Sequence, residues 1–281
     1  MDDATPFPEF RPIANRAASC QQALVTVSGL FSVFDIWVLA VLGAVGVLAG
    51  FVDAVAGGGG LVTIPVLLSA GLSPVGALAT NKAQAIVGTF TAALTYWRKG
   101  YVSLLALIPA IAAAFAGSFL GALLVKQIDT SALEIAVPVA VIAVALYFTL
   151  SPSIKDIDGA ARLKFSTFVP VFGFIIGFYD GLFGPGAGSF LILAFVALFG
   201  LSAARASAHT KVLNVTSNLA ALTFFIFAGD VVWPVAVVMA IGQLIGGYLG
   251  AITGIRFGAR AIRPLVIVVS VALAIKLLFF P

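Results

Sequence analysis

The fold is decided by Gly50-Phe51-Val52-Asp53-Ala54-Val55-Ala56-Gly57-Gly58-Gly59-Gly60, followed by Thr80-Asn81-Lys82, because the chain repeats this pattern. The second copy reads Gly177-Phe178-Tyr179-Asp180, then Gly184-Pro185-Gly186-Ala187-Gly188, then Thr210-Lys211. The aspartates lie 127 residues apart (53 to 180) and the lysines 129 (82 to 211). The repeat runs on to Gly100-Tyr101-Val102 and Gly229-Asp230-Val231. Apolar sequence surrounds each of these polar residues. A duplicated apolar chain with a glycine-broken segment at the same place in each half is the pattern of a secondary transporter, and the breaks mark the expected binding site.

Composition agrees. Of the 281 residues 62% are hydrophobic and 9% charged, against about 25% charged in soluble domains. The apolar runs are too many and too long for one buried core, so the chain reads as a polytopic, all-α membrane protein. One cysteine, Cys20, and one histidine, His209, leave no His/Cys metal centre to expect. No cofactor is implied and no nucleotide motif is complete. Gly57–Gly60 lacks a following Gly-Lys-Ser/Thr, and Gly184–Gly188 lacks a strand-turn-helix context. The hydrolase signatures His-Glu-x-x-His and Gly-x-Ser-x-Gly are absent from the sequence, and no enzyme activity is expected.

Residues 1–34 are mixed in character and read as an N-terminal tail. The first repeat spans 35–150, with apolar segments at about 35–53, 61–70, 75–98, 102–125 and 131–150. A polar linker, 151–165, carries Lys155, Asp156, Asp158, Arg162 and Lys164. The second repeat spans 166–281, with segments at about 166–182, 189–200, 203–228, 231–255 and 261–280.

If each glycine-broken segment crosses, every half has five crossings and the halves are inverted. If it re-enters, the halves are parallel. The inverted arrangement puts nine basic residues on one side (Arg98, Lys99, Lys155, Arg162, Lys164, Arg205, Arg256, Arg260, Arg263) against Arg11, Arg16 and Lys126 on the other. The parallel one gives seven against five. Cytoplasmic ends carry the Lys/Arg excess. The expectation is therefore about ten membrane segments in two inverted five-segment repeats, a cytoplasmic linker, and both termini outside the cell membrane (a bacterial inner membrane).

Asp53, Lys82, Asp180 and Lys211 are ionisable groups in apolar segments, each costing roughly 2.5–3.5 kcal/mol at a helix centre. Two roles stay open for the aspartates: coupling protons, or forming ion pairs that hold the lysines. A broken helix exposes backbone N–H groups and a partial positive charge at the start of its second piece. Such starts bind anions, and glycine lets a ligand reach the backbone. The expected substrate contacts are Gly58, Gly59 and Gly60, with half-helices beginning near Leu61 and Ser189, and Gly186, Gly188 and Ser189 in the second half. Thr63 adds a hydroxyl. Lys82 and Lys211 supply cations, and Asn81, Gln84, Asn214 and Asn218 supply amides. Lys211, Asn214 and Asn218 share one helix face. His209 points away from that face and reads as a packing residue. Gly43, Gly117, Gly121, Gly246, Gly247 and Gly250 read as close helix-packing positions.

The run Gly50-Phe-Val-Asp-Ala-Val-Ala-Gly-Gly-Gly-Gly-Leu-Val-Thr-Ile-Pro65 with Ala79-Thr-Asn-Lys82 resembles the sulfite exporter TauE/SafE family. So does Gly177-Phe-Tyr-Asp-Gly-Leu-Phe-Gly-Pro-Gly-Ala-Gly188 with Lys211-Val-Leu-Asn214 and Ser217-Asn218. The resemblance covers about 35–280. It implies a permease for small sulfur-containing anions such as sulfite, sulfoacetate or another organosulfonate. The residues themselves imply only a small oxyanion, and leave the direction of transport open. A passive anion channel, or a membrane scaffold whose Asp–Lys pairs are structural, remain as alternatives. Expected partners are the anion, protons as a candidate co-substrate, the lipid bilayer, and a second copy of the chain; nucleic acid is not expected.

Overall fold

The computed structural model describes residues 36–150 and 161–258, without the side chains of 141 and 144–150. The expected tail, most of the linker and the last apolar segment, 261–280, lie outside the described residues. Contacts divide the chain at Leu39–Ala40. The first unit enters the described residues only as the opening turn of one helix, and the remainder of the helical chain belongs to the second.

Nine helices make up the described chain, with no strand among the described residues. They are α1 (Ile36–Ala56), α2 (Gly59–Ser69), α3 (Pro74–Arg98), α4 (Leu104–Val125), α5 (Thr130–Leu150), α6 (Phe165–Leu182), α7 (Ala187–Ala197), α8 (Ala203–Ala228) and α9 (Trp233–Phe257). Among them α1, α4, α6, α8 and α9 are long and apolar enough to cross a membrane. The protein is a polytopic helical membrane protein. Its surface matches the solvent it faces: Leu105 is 80% exposed, Phe227 87% and Ile241 62%. Apolar side chains point out, while Asn81, Gln84, Lys82 and Lys211 are buried. That pattern is stable only when the surroundings are lipid.

Local chemistry sets the helix ends. The α3 start has Ser73 accepting the Gly76 N–H at 3.2 Å, with Pro74 in the first turn. The α1 helix runs three residues past its expected end at Asp53. Nothing in Ala54-Val55-Ala56 stops it, and the carbonyls it would orphan are taken up by hydroxyls. Tyr96 donates to Ala54 O at 3.3 Å, Ser207 to Val55 O at 3.4 Å and Ser189 to Ala56 O at 2.6 Å. The half-helices begin at Gly59 and Ala187, two residues before the expected Leu61 and Ser189. Glycine costs little in a first turn whose N–H groups have no helical acceptor in any case.

The two halves interleave. α6 packs along α4, and α9 lies along α3. Glycine sets the spacing: a Cβ on Gly121 would lie 2.8 Å from Leu182 N, and one on Gly117 3.0 Å from Phe178 N. α1 meets α9 the same way, since a Cβ on Gly246 would lie 2.7 Å from Phe51 N and one on Gly50 2.9 Å from Gln243 Cα. Thus the first helix of each half packs on the fourth helix of the other. Gly117 and Gly121 precede Gly246 and Gly250 by the same 129 residues that separate the lysines. Gly43 is looser, with its nearest neighbour, Val238 Cγ1, at 3.4 Å. Such small-residue contacts let backbones approach where no hydrophobic force separates helix from lipid.

Candidate functional site

Between α1 and α2 the helix is interrupted at Gly57-Gly58, and between α6 and α7 at Phe183–Gly186. Gly57, Gly184 and Gly186 have φ of +76°, +88° and +74°, a conformation that only glycine adopts cheaply. The two breaks touch. A Cβ on Gly188 would sit 2.7 Å from Gly57 Cα and 2.6 Å from Asn214 Nδ2, so neither backbone can carry a side chain there. A Cβ on Gly60 would lie 3.4 Å from Pro185 Cα and 3.7 Å from Asn81 Nδ2.

The four ionisable groups meet at these breaks and pair across the halves. Lys211 of α8 donates to Asp53 Oδ2 of α1 at 2.8 Å. The Lys82 ammonium of α3 stands 2.7 Å from Asp180 Oδ1 of α6. Both lysines are essentially sealed, at 1% exposure for Lys82 and 0% for Lys211. The cations therefore do not stand free in a basic pocket: each is taken up by the carboxylate of the other half, and the cluster of four is neutral. The pairs differ in quality. Lys211 makes a directed hydrogen bond. Lys82 makes an ionic contact whose angle does not qualify as a hydrogen bond, which leaves its N–H donors unspent among the described residues.

Each aspartate also reaches its own surroundings. Asp53 Oδ1 accepts the Gly59 N–H at 3.3 Å, so the side chain caps the N-terminus of α2. Asp180 Oδ2 accepts from Ser217 Oγ. Around them, Asn81 Oδ1 accepts from Thr63 Oγ1 and, at 2.9 Å, from Gln84 Nε2. Asn214 and Asn218 are buried on α8, with Asn218 about one turn beyond Asn214. Gln84 Oε1, Asn214 Oδ1 and Thr210 Oγ1 have no hydrogen-bond partner among the described residues. A buried polar atom left so costs roughly 1–3 kcal/mol.

Most of the expected residues converge. Asn81 stands by Gly60 at the first break and holds Gln84, and Asn214 stands by Gly188 at the second; the lysines cross over, Lys82 to Asp180 and Gly184 at the second break and Lys211 to Asp53 at the first. Two expected donors are spent on the scaffold: Ser189 holds the end of α1, and Thr63 bonds Asn81 and Gly59 O. His209 packs against Phe165 and Phe195 with Nδ1 2.7 Å from Arg205 O. Sequence reasoning missed Tyr96 and Ser207, which complete the α1 terminus from helices distant in sequence. It also missed Gln243, buried between Gly50 and Gly88. No local pattern announces any of the three.

A helical membrane chain whose broken helices bring buried charge and unsatisfied amides to one place belongs to the class of membrane transporters. The description "Sulfite exporter TauE/SafE" matches residues 42–277, a slightly narrower stretch than the expected 35–280. The chain belongs to this family and is one of its membrane transporters. It is 44% identical over 254 residues to "Probable membrane transporter protein YfcA" of Escherichia coli strain K12, covering 90% of this chain and 94% of that one. It is also 44% identical over 243 residues to "Probable membrane transporter protein ORF9" of Sinorhizobium sp, covering 86% and 93%. A third relative, "Probable membrane transporter protein" of Haemophilus influenzae, is 42% identical over 241 residues, covering 86% and 94%. No solved structure matches the chain.

Proposed function

We propose that this transporter carries a small sulfur-containing oxyanion, such as sulfite, sulfoacetate or another organosulfonate, through the meeting point of its two breaks by alternating access. The observation that carries the proposal is the pair of cross-half ion contacts, Asp53–Lys211 and Lys82–Asp180. Asp53 places one carboxylate oxygen on a half-helix N–H and the other on an ammonium. A sulfite or sulfonate oxygen needs the same donors. The carboxylate is thus an internal stand-in for the substrate, and a bound anion takes its place on Lys82 or Lys211. Asn81, Gln84, Asn214 and Asn218 orient the remaining oxygens, with the backbone of Gly58–Gly60, Gly186 and Gly188 close by. The sulfur chemistry itself rests on the family alone.

In this reading the chain has ten membrane segments, in two inverted five-segment repeats whose breaks meet near the midplane. Exchange of one ion pair at a time tilts one repeat against the other. The reciprocal packing of α1 on α9 and of α6 on α4 supports that symmetry. The basic residues favour a cytoplasmic linker and termini outside an inner membrane. An anion that crosses carrying its own charge would then be driven outward by about 2.3 kcal/mol per charge per 100 mV and need no coupling for export, whereas its import would need coupling.

The test is uptake of labelled sulfite and sulfoacetate into proteoliposomes, with and without a pH gradient, for wild type and for Lys82→Ala and Lys211→Ala. Saturable flux that trans-substrate accelerates, and that folded lysine variants lose, is the expected result. Single-channel conductance without saturation would instead make the protein a channel. Unaltered flux in both folded variants would make the pairs scaffold only.

A further inference from the structure

Away from the breaks, α3, α8 and α9 enclose a groove of about 790 Å³ open to the membrane face. Its walls are apolar: Phe90 and Leu94 of α3, Leu219 of α8 and Leu244 of α9 line it, and Phe90, Leu219 and Leu244 are each about half exposed. One end is different. Arg98 and Lys99 close it, and no carboxylate is among the lining residues. From Ile86 to Arg98 the groove follows 13 residues of α3, about 20 Å at 1.5 Å per residue, with Lys99 just beyond. One leaflet of hydrocarbon is about 15 Å deep, so the groove is long enough for one acyl chain with a headgroup at the basic end.

Three further facts fix that end as the headgroup level. Trp97, 48% exposed, precedes the basic pair, as aromatic residues do at membrane interfaces. Gly247 lies against Gly88, and Gly254 against Tyr96, so α3 and α9 run side by side in the same sense and Arg256 comes level with Arg98. The equivalent positions of the second half, 129 residues on, are Phe227 and Ala228. The basic pair is therefore not a consequence of the repeat. It was placed at one end of one groove.

We infer that this groove is a binding site for an anionic phospholipid, with acyl chain along Phe90, Leu94, Leu219 and Leu244 and phosphate at Arg98 and Lys99. The site is independent of the identity of the transported substrate.

The experiment is native mass spectrometry and thermal unfolding of the full chain in detergent, titrated with phosphatidylglycerol, phosphatidylcholine or soluble glycerol phosphate. The wild type should bind phosphatidylglycerol on the order of tenfold more tightly than phosphatidylcholine, as two basic groups near an anionic headgroup imply, and gain thermal stability from it. R98Q/K99Q, altered only at exposed positions, should keep its midpoint in detergent and lose that preference. L244W, which fills the groove from an exposed position, should weaken both lipids. Equal binding of the two lipids, a preference that survives R98Q/K99Q, or equal protection by glycerol phosphate would overturn the site. So would disulfide capture of a second copy through F90C in a Cys20→Ser background, which would make the groove an interface between chains.

Discussion

Removing one member of the Asp53–Lys211 pair should be far worse than removing both. The pair is buried, with Lys211 at 0% and Asp53 at 8% exposure, and the contact is 2.8 Å. Lys211→Met leaves a carboxylate with one backbone N–H and no counter-ion. Asp53→Asn leaves an ammonium with a neutral partner but keeps an oxygen for the Gly59 N–H. Stripping one partner from a buried pair costs about 3–5 kcal/mol, while replacing both with groups of similar volume is close to neutral. The double variant Asp53→Asn/Lys211→Met should therefore lose at most about 1–2 kcal/mol, and the cycle should show coupling of several kcal/mol. At roughly 2–4 °C per kcal/mol for a chain of this size, each single variant should unfold on the order of 10 °C lower in detergent, and the double variant only a few degrees lower. Fluorescence-detected gel filtration after heating reads this directly. The same cycle on Lys82 and Asp180 should behave alike, with smaller coupling because the Lys82 contact is poorly directed. Additive single effects at Asp53 and Lys211 would refute the cross-half pairing, and with it the idea that the carboxylate holds the substrate's place.

Close packing and surface charge give two more outcomes. Gly188→Ala would put a methyl group 2.7 Å from Gly57 Cα; it should lower stability by about 1–3 kcal/mol and abolish flux, whereas Gly71→Ala, with open space around it but a φ of +87°, should cost only backbone strain and leave flux intact. Lys126→Gln breaks the contact to Asp230 at 2.9 and 3.0 Å, but Lys126 is 37% exposed, so the loss should stay below about 1 kcal/mol, and a midpoint shift as large as that of Lys211→Met would contradict this ranking.

The helices and both breaks were legible because each is a local property. Apolar runs and glycine clusters act over a few residues. The four charges were legible as a set, since an ion in an apolar segment needs a reason to be there. Ion pairs locking the halves together were one reading of them, but which aspartate meets which lysine was not legible. Asp53 and Lys82 lie 29 residues apart, and Asp180 and Lys211 lie 31, so pairing within each half was as plausible as the exchange that α1–α9 and α4–α6 packing imposes. The hydroxyls that finish α1 were hidden for the same reason: Tyr96 and Ser207 reach it from 42 and 152 residues away. The bonds of Ser189 and Thr63 were not legible either, because a hydroxyl beside a helix start can face a ligand or a neighbouring carbonyl, and only tertiary structure chooses.

The exchange of partners also bears on coupling. Two aspartates and two lysines make a neutral, buried cluster, with each carboxylate already on an ammonium that an anion would use. A monovalent sulfonate that displaces Asp53 from Lys211 brings one negative charge into this cluster. Displacing the carboxylate without neutralising it leaves two anions near one cation, at the effective dielectric constant of about 20 that suits such sites, where unit charges 4 Å apart interact by about 4 kcal/mol. Taking up a proton on the displaced aspartate restores neutrality. Sulfoacetate should therefore enter the cluster with enough protons to cancel its charge. Flux in proteoliposomes should respond to an imposed pH gradient and stay nearly constant when a potassium diffusion potential is imposed at fixed pH. Asp53→Asn and Asp180→Asn, where they fold, should uncouple flux from pH. Flux driven by the potential and indifferent to pH would show that the aspartates only hold the lysines, and that the anion crosses carrying its own charge.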